Sequence, residues 1–277
     1  MKTTTFSLVP IMPTFEYLEL SLVNHVLHLQ LYRPNKANAM NRKMWFEIGE
    51  AYRWISTQDE INVVVLSGKG KQFSSGADIN FLLQVMESTE KTSSDKTAYL
   101  RSEIINMQQS FSTIVDCPVP TIAAVHGVCI GGAIDLISAC DIRLASIRSY
   151  FSIMETQLGI PADMGTLQRL HFNLPDGRLR ELAYTSAVFS GSKAKKWGMV
   201  NETYFTRKRL MKAAFILANK ISALPSYAVK ATKISLNVNT NAVISEGLNA
   251  VACLNSDLLQ SLEAKSTMDS LKQKMKK

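Results

Sequence analysis

Apolar and polar positions alternate through "EYLELSLVNHVLHLQL" on both sides of Asn24, a period of two that predicts a hairpin whose second strand ends at Tyr32. After the turn "RPNKANAMN" the period changes: in "RKMWFEIGEAYRWIS", Met44, Ile48, Ala51 and Ile55 recur at helical spacing and share one face. "INVVVLSGKG" is an uninterrupted apolar run ending in glycines, the pattern of a strand buried on both faces of an α/β sheet. "QFSSGADINFLLQVM" passes from a glycine loop into a helix, the polar "ESTEKTSSDK" reads as a mobile link, and a further helix is expected from about Tyr99 to Ile114. "VPTIAAVHGVCIGGAIDLISACDIRLAS" then supplies a strand, a Gly-rich turn, a small-residue helix and another strand. Strand, helix and strand in this order imply right-handed crossovers and a mostly parallel sheet. From Gly165 onward the pattern is almost wholly helical, ending in "RLMKAAFILANKISAL", "YAVKATKISLN" and an amphipathic stretch after Ser245. The expected organisation is an α/β core over residues 1–200 and a helical region over 201–277, without internal repeats.

Composition adds little to this picture and charge adds more. The chain of 277 residues, 46% hydrophobic and 19% charged, has the make-up of an ordinary globular protein with one large domain. Its net charge of +8 suits nucleic acid, acidic lipid or a phosphorylated ligand. The densest basic cluster, "TRKRLMK", has only Phe205 beside it, which argues against nucleic acid, where stacking aromatics interleave the charges. Cys117, Cys129, Cys140 and Cys253 form no CxxC pair, and His25, His28, His126 and His171 are scattered, so no metal site is expected. The thiols read as free and buried. No signal pattern or membrane-length apolar run occurs, and the terminal "QKMKK" is not a peroxisomal tripeptide. A reducing compartment follows: the cytoplasm of a bacterial-type cell, with the mitochondrial matrix left open.

Two glycine loops invite comparison with nucleotide motifs and fail it. "GKGKQFSSG" has Phe73 where the third Rossmann glycine belongs, and "HGVCIGGAID" contains neither GxGxxG nor a P-loop. No GxSxG elbow exists for a serine hydrolase. Both loops do put small residues between a strand end and a helix start, at Gly76-Ala77 and Gly131-Gly132. Such residues leave backbone N–H groups unobstructed, and two of them aimed at one point make an oxyanion hole. The alternative is that these glycines serve tight turns and close packing.

Three acids lie in apolar settings: Asp135 on the small-residue helix, Glu155 after "YFSIM", and Asp163 just past Pro161. Asp163 could simply cap the helix "MGTLQRL". On one straight helix, Glu155 and Asp163 would stand ~12 Å apart, too far to serve one small substrate. Gly159 and Pro161 argue for a bend instead, which can turn both carboxyls into one pocket where Met154, Leu158, Ile160 and Met164 raise their pKa values. One acid that accepts a proton beside one that delivers it is what moving a double bond requires.

The stretches "SSGADI", "VPTIAAVHGVCIGGAIDLISACDIRLAS", "GIPADMGTLQRL" and "AKKWGMVNE", in this order from about residue 15 to 265, resemble the crotonase, or enoyl-CoA hydratase/isomerase, superfamily. The resemblance implies an α/β fold, a crotonase-like spiral of ββα units with a helical C-terminal trimerisation region. It implies an acyl-CoA thioester as substrate, so that coenzyme A arrives with the substrate and no other cofactor is needed. It also implies assembly as a homotrimer or hexamer. Carried over by position, the oxyanion hole falls on the N–H groups of Ala77 and Gly132, and coenzyme A contacts fall on Arg33, Lys36 and Ala37 and on Ala77-Asp78-Ile79. The hydratase branch has two glutamates where this chain has Asp135 and Glu155, and a Gly-rich turn where it has "PADMG". An aspartate at 163 with Asp135 and Glu155 is similar to the branch that shifts 3,5-dienoyl-CoA to 2,4-dienoyl-CoA. That implies abstraction from C2 by Glu155, delivery to C6 by Asp163, and support from Asp135. Two alternatives stay open: water addition to a 2-enoyl-CoA, and a non-catalytic acyl-CoA or RNA-binding scaffold of the same fold. Ala133 in place of a third glycine and "LHFNLPDGRL" in place of a lysine-containing turn depart from the pattern.

Overall fold

The computed structural model describes residues 11–87 and 93–261, with 266–267, 270 and 273. The expected hairpin is β1 (Leu18–Val23) and β2 (Val26–Leu31), paired antiparallel, with Asn24 and His25 both at positive φ in the turn. Parallel pairing then runs from β2 through β3 (Val63–Gly68), β4 (Thr121–Val125) and β6 (Ile142–Ser146) to β9 (Glu202–Tyr204). A smaller sheet joins β5 (Val128–Ile130), β7 (Tyr150–Ser152) and β8 (Phe189–Ser190).

The central strands are apolar throughout because both faces are covered. Val64, Leu66, Ala123 and Val125 face the main core, while Val63, Val65, Ile122 and Ala124 alternate to the opposite face. There they meet Leu210, Ala214 and Ala218 of α8 (Arg207–Ser222). On the main-core side, α1 (Arg42–Ser56) buries the four residues expected on its inner face, Met44, Ile48, Ala51 and Ile55. Asn41 caps it by accepting from the Met44 N–H at 2.9 Å. Next come α2 (Ile79–Glu87) and α3 (Ser93–Asp116), the latter longer at both ends than its pattern suggests; of the expected polar link over 87–96, residue 87 ends α2, 93–96 open α3 and 88–92 lie outside the described residues.

The chain continues through α4 (Gly132–Ser138), α5 (Thr166–Leu170), α6 (Asp176–Thr185), α7 (Gly191–Trp197) and α9 (Ser226–Leu258). Three features differ from the sequence reading. The stretch after Gly165 contains β8 and β9, which at two and three residues are too short to show a period. α9 is one helix of 33 residues where the pattern suggested two. Residue 200 is not a boundary: beyond it β9 still pairs with β6 and α8 covers the sheet, so the purely helical part begins at α8. No helix among the described residues is long and apolar enough to cross a membrane.

Candidate active site

The site lies beyond the carboxyl ends of β3 and β5, where an α/β sheet leaves loop backbone exposed. Asn38, fully buried, donates through Nδ2 to the carbonyls of Lys69, Gln72 and Phe73, and Ser74 Oγ donates to Asn38 O at 2.7 Å. These bonds lash the "RPNKANAM" turn to the loop after β3. Met40 N–H donates to Gly76 O and Asp78 N–H to Met40 O, which leaves the intervening Ala77 N–H without an acceptor among the described residues. The Gly132 N–H, first in α4, likewise has none.

The two free amides are neighbours. A β-carbon added at Gly76 would stand 3.2 Å from Gly132 N, and one added at Gly132 would stand 3.4 Å from Ala77 N. Gly131, at φ 54 and ψ −131, is in a region essentially reserved for glycine, and it turns the chain so that Gly132 presents its N–H.

Below the amides is a cavity of about 170 Å³ lined by Trp45, Ala77, Leu82, Met107, Gly132 and Met164 together with the three acids Asp135, Glu155 and Asp163. Trp45 is held by its Nε1–H on Met107 O at 3.0 Å and by stacking on Phe111. The expected bend is present. Glu155 opens a 3-10 turn, Glu155–Leu158, closed by Gly159 in the left-handed conformation, and the chain then folds back through Pro161 to bring Asp163 to the same cavity.

The cap reading of Asp163 is overturned. The N-cap of α5 is Gly165 with no side-chain cap, and the Thr166 N–H donates instead to Asp135 Oδ1 at 2.7 Å, from across the pocket. Asp163 is buried, and its Oδ2 accepts from Asn255 Nδ2 of α9 at 2.6 Å. Gln108 of α3 donates to Asp163 O at 2.7 Å and to Leu248 O at 3.0 Å, fixing the loop to both helices.

Burial raises all three acids, because an ionised carboxylate loses its water there. Asp163 is pushed up to about 7, with the Asn255 bond opposing the shift and the Asp135 charge adding to it. Glu155 is raised well above its usual range by burial, then by the charge of Asp135 and that of Asp163, and its Oε2 has no hydrogen-bond partner among the described residues. Asp135 is raised by burial against the pull of Thr166 and of the buried Arg169. All three shifts favour the protonated form, in acids that line one small volume.

Among the expected coenzyme A contacts, Ile79 lines the cavity and Lys36 is exposed. Ala37 is half-buried at positive φ, its carbonyl accepting from Ser75 N–H at 3.0 Å. Arg33 and Asp78 spend their charges on each other at 2.6 Å, and Arg33 also donates to Ala39 O.

Residues 22–277 match the enoyl-CoA hydratase/isomerase family. The chain belongs to that family. Members similar to it include the mitochondrial Delta(3,5)-Delta(2,4)-dienoyl-CoA isomerase of Homo sapiens, 40% identical over 245 residues, covering 87% of this chain and 74% of that one. The peroxisomal protein of the same name from Arabidopsis thaliana is 37% identical, covering 89% of each chain. In solved structures the fold recurs in an enoyl-CoA hydratase/isomerase from Mycobacterium paratuberculosis, with TM-score 0.84 at 21% identity over 94% of this chain and all of that one. The expected crotonase-like fold is therefore present, and the chain is an enzyme of this family. The isomerases named here are mitochondrial or peroxisomal and do not confirm the expected cytoplasmic location. Missing from the sequence reading of this candidate site were Asn38, Gln108 and Asn255, single polar residues carrying no motif.

Raised carboxyls have a thermodynamic signature. Between the ordinary aspartate value near 4 and about 7, native Asp163 binds more protons than the unfolded chain, so stability falls as pH rises through that window. Asp163→Asn removes this loss while keeping an oxygen for Asn255. Its advantage in thermal stability over the parent should grow from pH 5 to pH 8 and then level off, with a ceiling of about 4 kcal/mol. A gap independent of pH, measured by thermal unfolding across that series, would show that Asp163 titrates normally.

Proposed function

We propose that the protein isomerises 3,5-dienoyl-CoA to 2,4-dienoyl-CoA within the oxidation of unsaturated fatty acids. The observation that carries this reading is the convergence of Glu155 and Asp163 on one apolar cavity beneath the paired amides of Ala77 and Gly132.

In this mechanism the thioester oxygen accepts from both amides. Glu155 takes a proton from C2, and the electron pair spreads through the conjugated chain to the thioester oxygen, where donors fixed in place stabilise negative charge most effectively. Asp163 protonates C6, and the double bonds come to rest at C2 and C4. Asp135 accepts from Thr166 and holds the start of α5 behind the pair. Electrons stay within the substrate, so the chemistry needs no redox cofactor. Turnover in this direction starts with the proton on Asp163 and Glu155 ionised. Both directions are open to the same two acids.

Coenzyme A would pass along the "RPNKANAM" turn, with Lys36 the exposed cation there and the Arg33–Asp78 pair holding the turn's shape. Homo-oligomer formation, as a trimer or hexamer, is supported by α9, where Ile234, Leu236, Val238 and Val243 are each more than half exposed.

The deciding experiment offers purified protein a 3,5-dienoyl-CoA and a 2-enoyl-CoA and follows the conjugated dienoyl band against loss of enoyl absorbance. Gain of the dienoyl band, lost in Glu155→Gln by about 10² to 10⁴ in rate, is expected. Hydration of the enoyl ester alone would establish a hydratase instead.

A further inference from the structure

Asn255 lies in the buried stripe of α9 with Leu248, Val251 and Ala252, and none of its surface is exposed. An amide in such a stripe is costly unless its hydrogens find acceptors. Both do, from one nitrogen: Asp163 Oδ2 at 2.6 Å and Pro161 O at 3.0 Å. Its own Oδ1 has no partner among the described residues. Turning the amide over would set that oxygen against the Pro161 carbonyl, which can only accept, so Asn255 faces Asp163 as a donor in either protonation state. Oδ2 of Asp163 is thereby kept as an acceptor whether the carboxyl is charged or neutral. The labile proton is left to Oδ1 of this carboxyl, which belongs to a residue lining the cavity. Gln108 meanwhile holds the Asp163 and Leu248 carbonyls, so loop and α9 are pinned to α3 together.

We propose that Asn255 is a positioning residue for the isomerisation: it confines the transferable proton of Asp163 to the oxygen that faces the acyl chain and holds that carboxyl opposite Glu155. The C-terminal helix then contributes to the chemistry as well as to assembly. This inference rests on the isomerase reading above. The groups bearing on Asp163 are Asp135 from α4, Glu155 from the 3-10 turn, the neutral Gln108 from α3 and Asn255 itself, with Arg169 of α5 acting on Asp135. Asn255 is the one side chain among them that donates to the Asp163 carboxylate.

The test compares the parent with Asn255→Leu, which removes both donors, and Asn255→Asp, which keeps the shape but supplies a like charge. Carbon-13 NMR of aspartate-labelled protein, with the signal assigned through Asp163→Asn, reads the Asp163 titration without turnover. In heavy water, exchange at C2 of a 3,5-dienoyl-CoA and at C6 of a 2,4-dienoyl-CoA reads the two half-reactions separately. In Asn255→Leu the Asp163 titration should rise by about one unit, and C6 exchange should fall by about tenfold or more while C2 exchange stays within about twofold of the parent. Asn255→Asp should lose C6 exchange more deeply above neutral pH, and it serves alone if the leucine variant does not fold. An unmoved titration, or equal loss at both carbons, would overturn the proposal. A parent enzyme that does not isomerise the dienoyl ester overturns the underlying reading, and the titration then decides separately whether Asn255 governs the Asp163 proton.

Discussion

Asp163→Asn should lose dienoyl-CoA isomerisation by about 10² to 10⁴ in rate, the span of positioned proton transfer, while binding acyl-CoA as the parent does. The residue is buried at the cavity, it is not the cap of α5, and no other acid reaches the same wall from the Pro161 loop. An amide there keeps the acceptor for Asn255 and the shape of the pocket, but has no proton to give at C6. Exchange at C2 in heavy water should persist, because Glu155 and the paired amides are untouched. Rapid mixing for the rate, titration calorimetry for binding and proton NMR for exchange separate these effects. Unchanged turnover in this variant would reduce Asp163 to a structural residue.

The second large effect concerns the amides. In Gly132→Ala the added β-carbon would lie 2.9 Å from Cη2 of Trp45 and 3.4 Å from the Ala77 nitrogen, in the space that the proposed mechanism assigns to the thioester oxygen. Trp45 cannot easily yield, being stacked on Phe111 and bonded to Met107 O. Loss of one such donor costs about 10² to 10³ in kcat. Unlike Asp163→Asn, this variant should lose C2 exchange and isomerisation together, since both pass through the same negatively charged intermediate. The contrast between the two variants, measured on one substrate, separates charge stabilisation from proton delivery. Retained C2 exchange in Gly132→Ala, with thermal unfolding confirming a folded chain, would place the oxygen elsewhere.

Much of this was legible in the chain because it depends on local pattern. The run "INVVVLSG" announces a strand covered on both faces, and Met44, Ile48, Ala51 and Ile55 announce the inner face of α1. Gly159 and Pro161 announce the bend that makes two distant acids neighbours. Other features depend on partners far along the chain. Asn255 meets Asp163 across 92 positions, and nothing in "ACLNSDLL" distinguishes it from a solvent-facing asparagine on the far side of a helix. Arg33, a coenzyme A contact by resemblance, is an ion pair with Asp78 in the fold, 45 positions along the chain. The start of α5 is satisfied by Asp135, 31 residues earlier, where local rules point to Asp163.

The central claim, that a proton leaves C2 and one arrives at C6 through two opposed carboxyls, is tested most directly by turning over a 3,5-dienoyl-CoA in heavy water and locating deuterium in the product by NMR. Incorporation at C6 of the 2,4-dienoyl ester by the parent enzyme, abolished in Asp163→Asn, is the expected result. Deuterium confined to C2 or C4, or a 3-hydroxyacyl product in place of the conjugated ester, would contradict it.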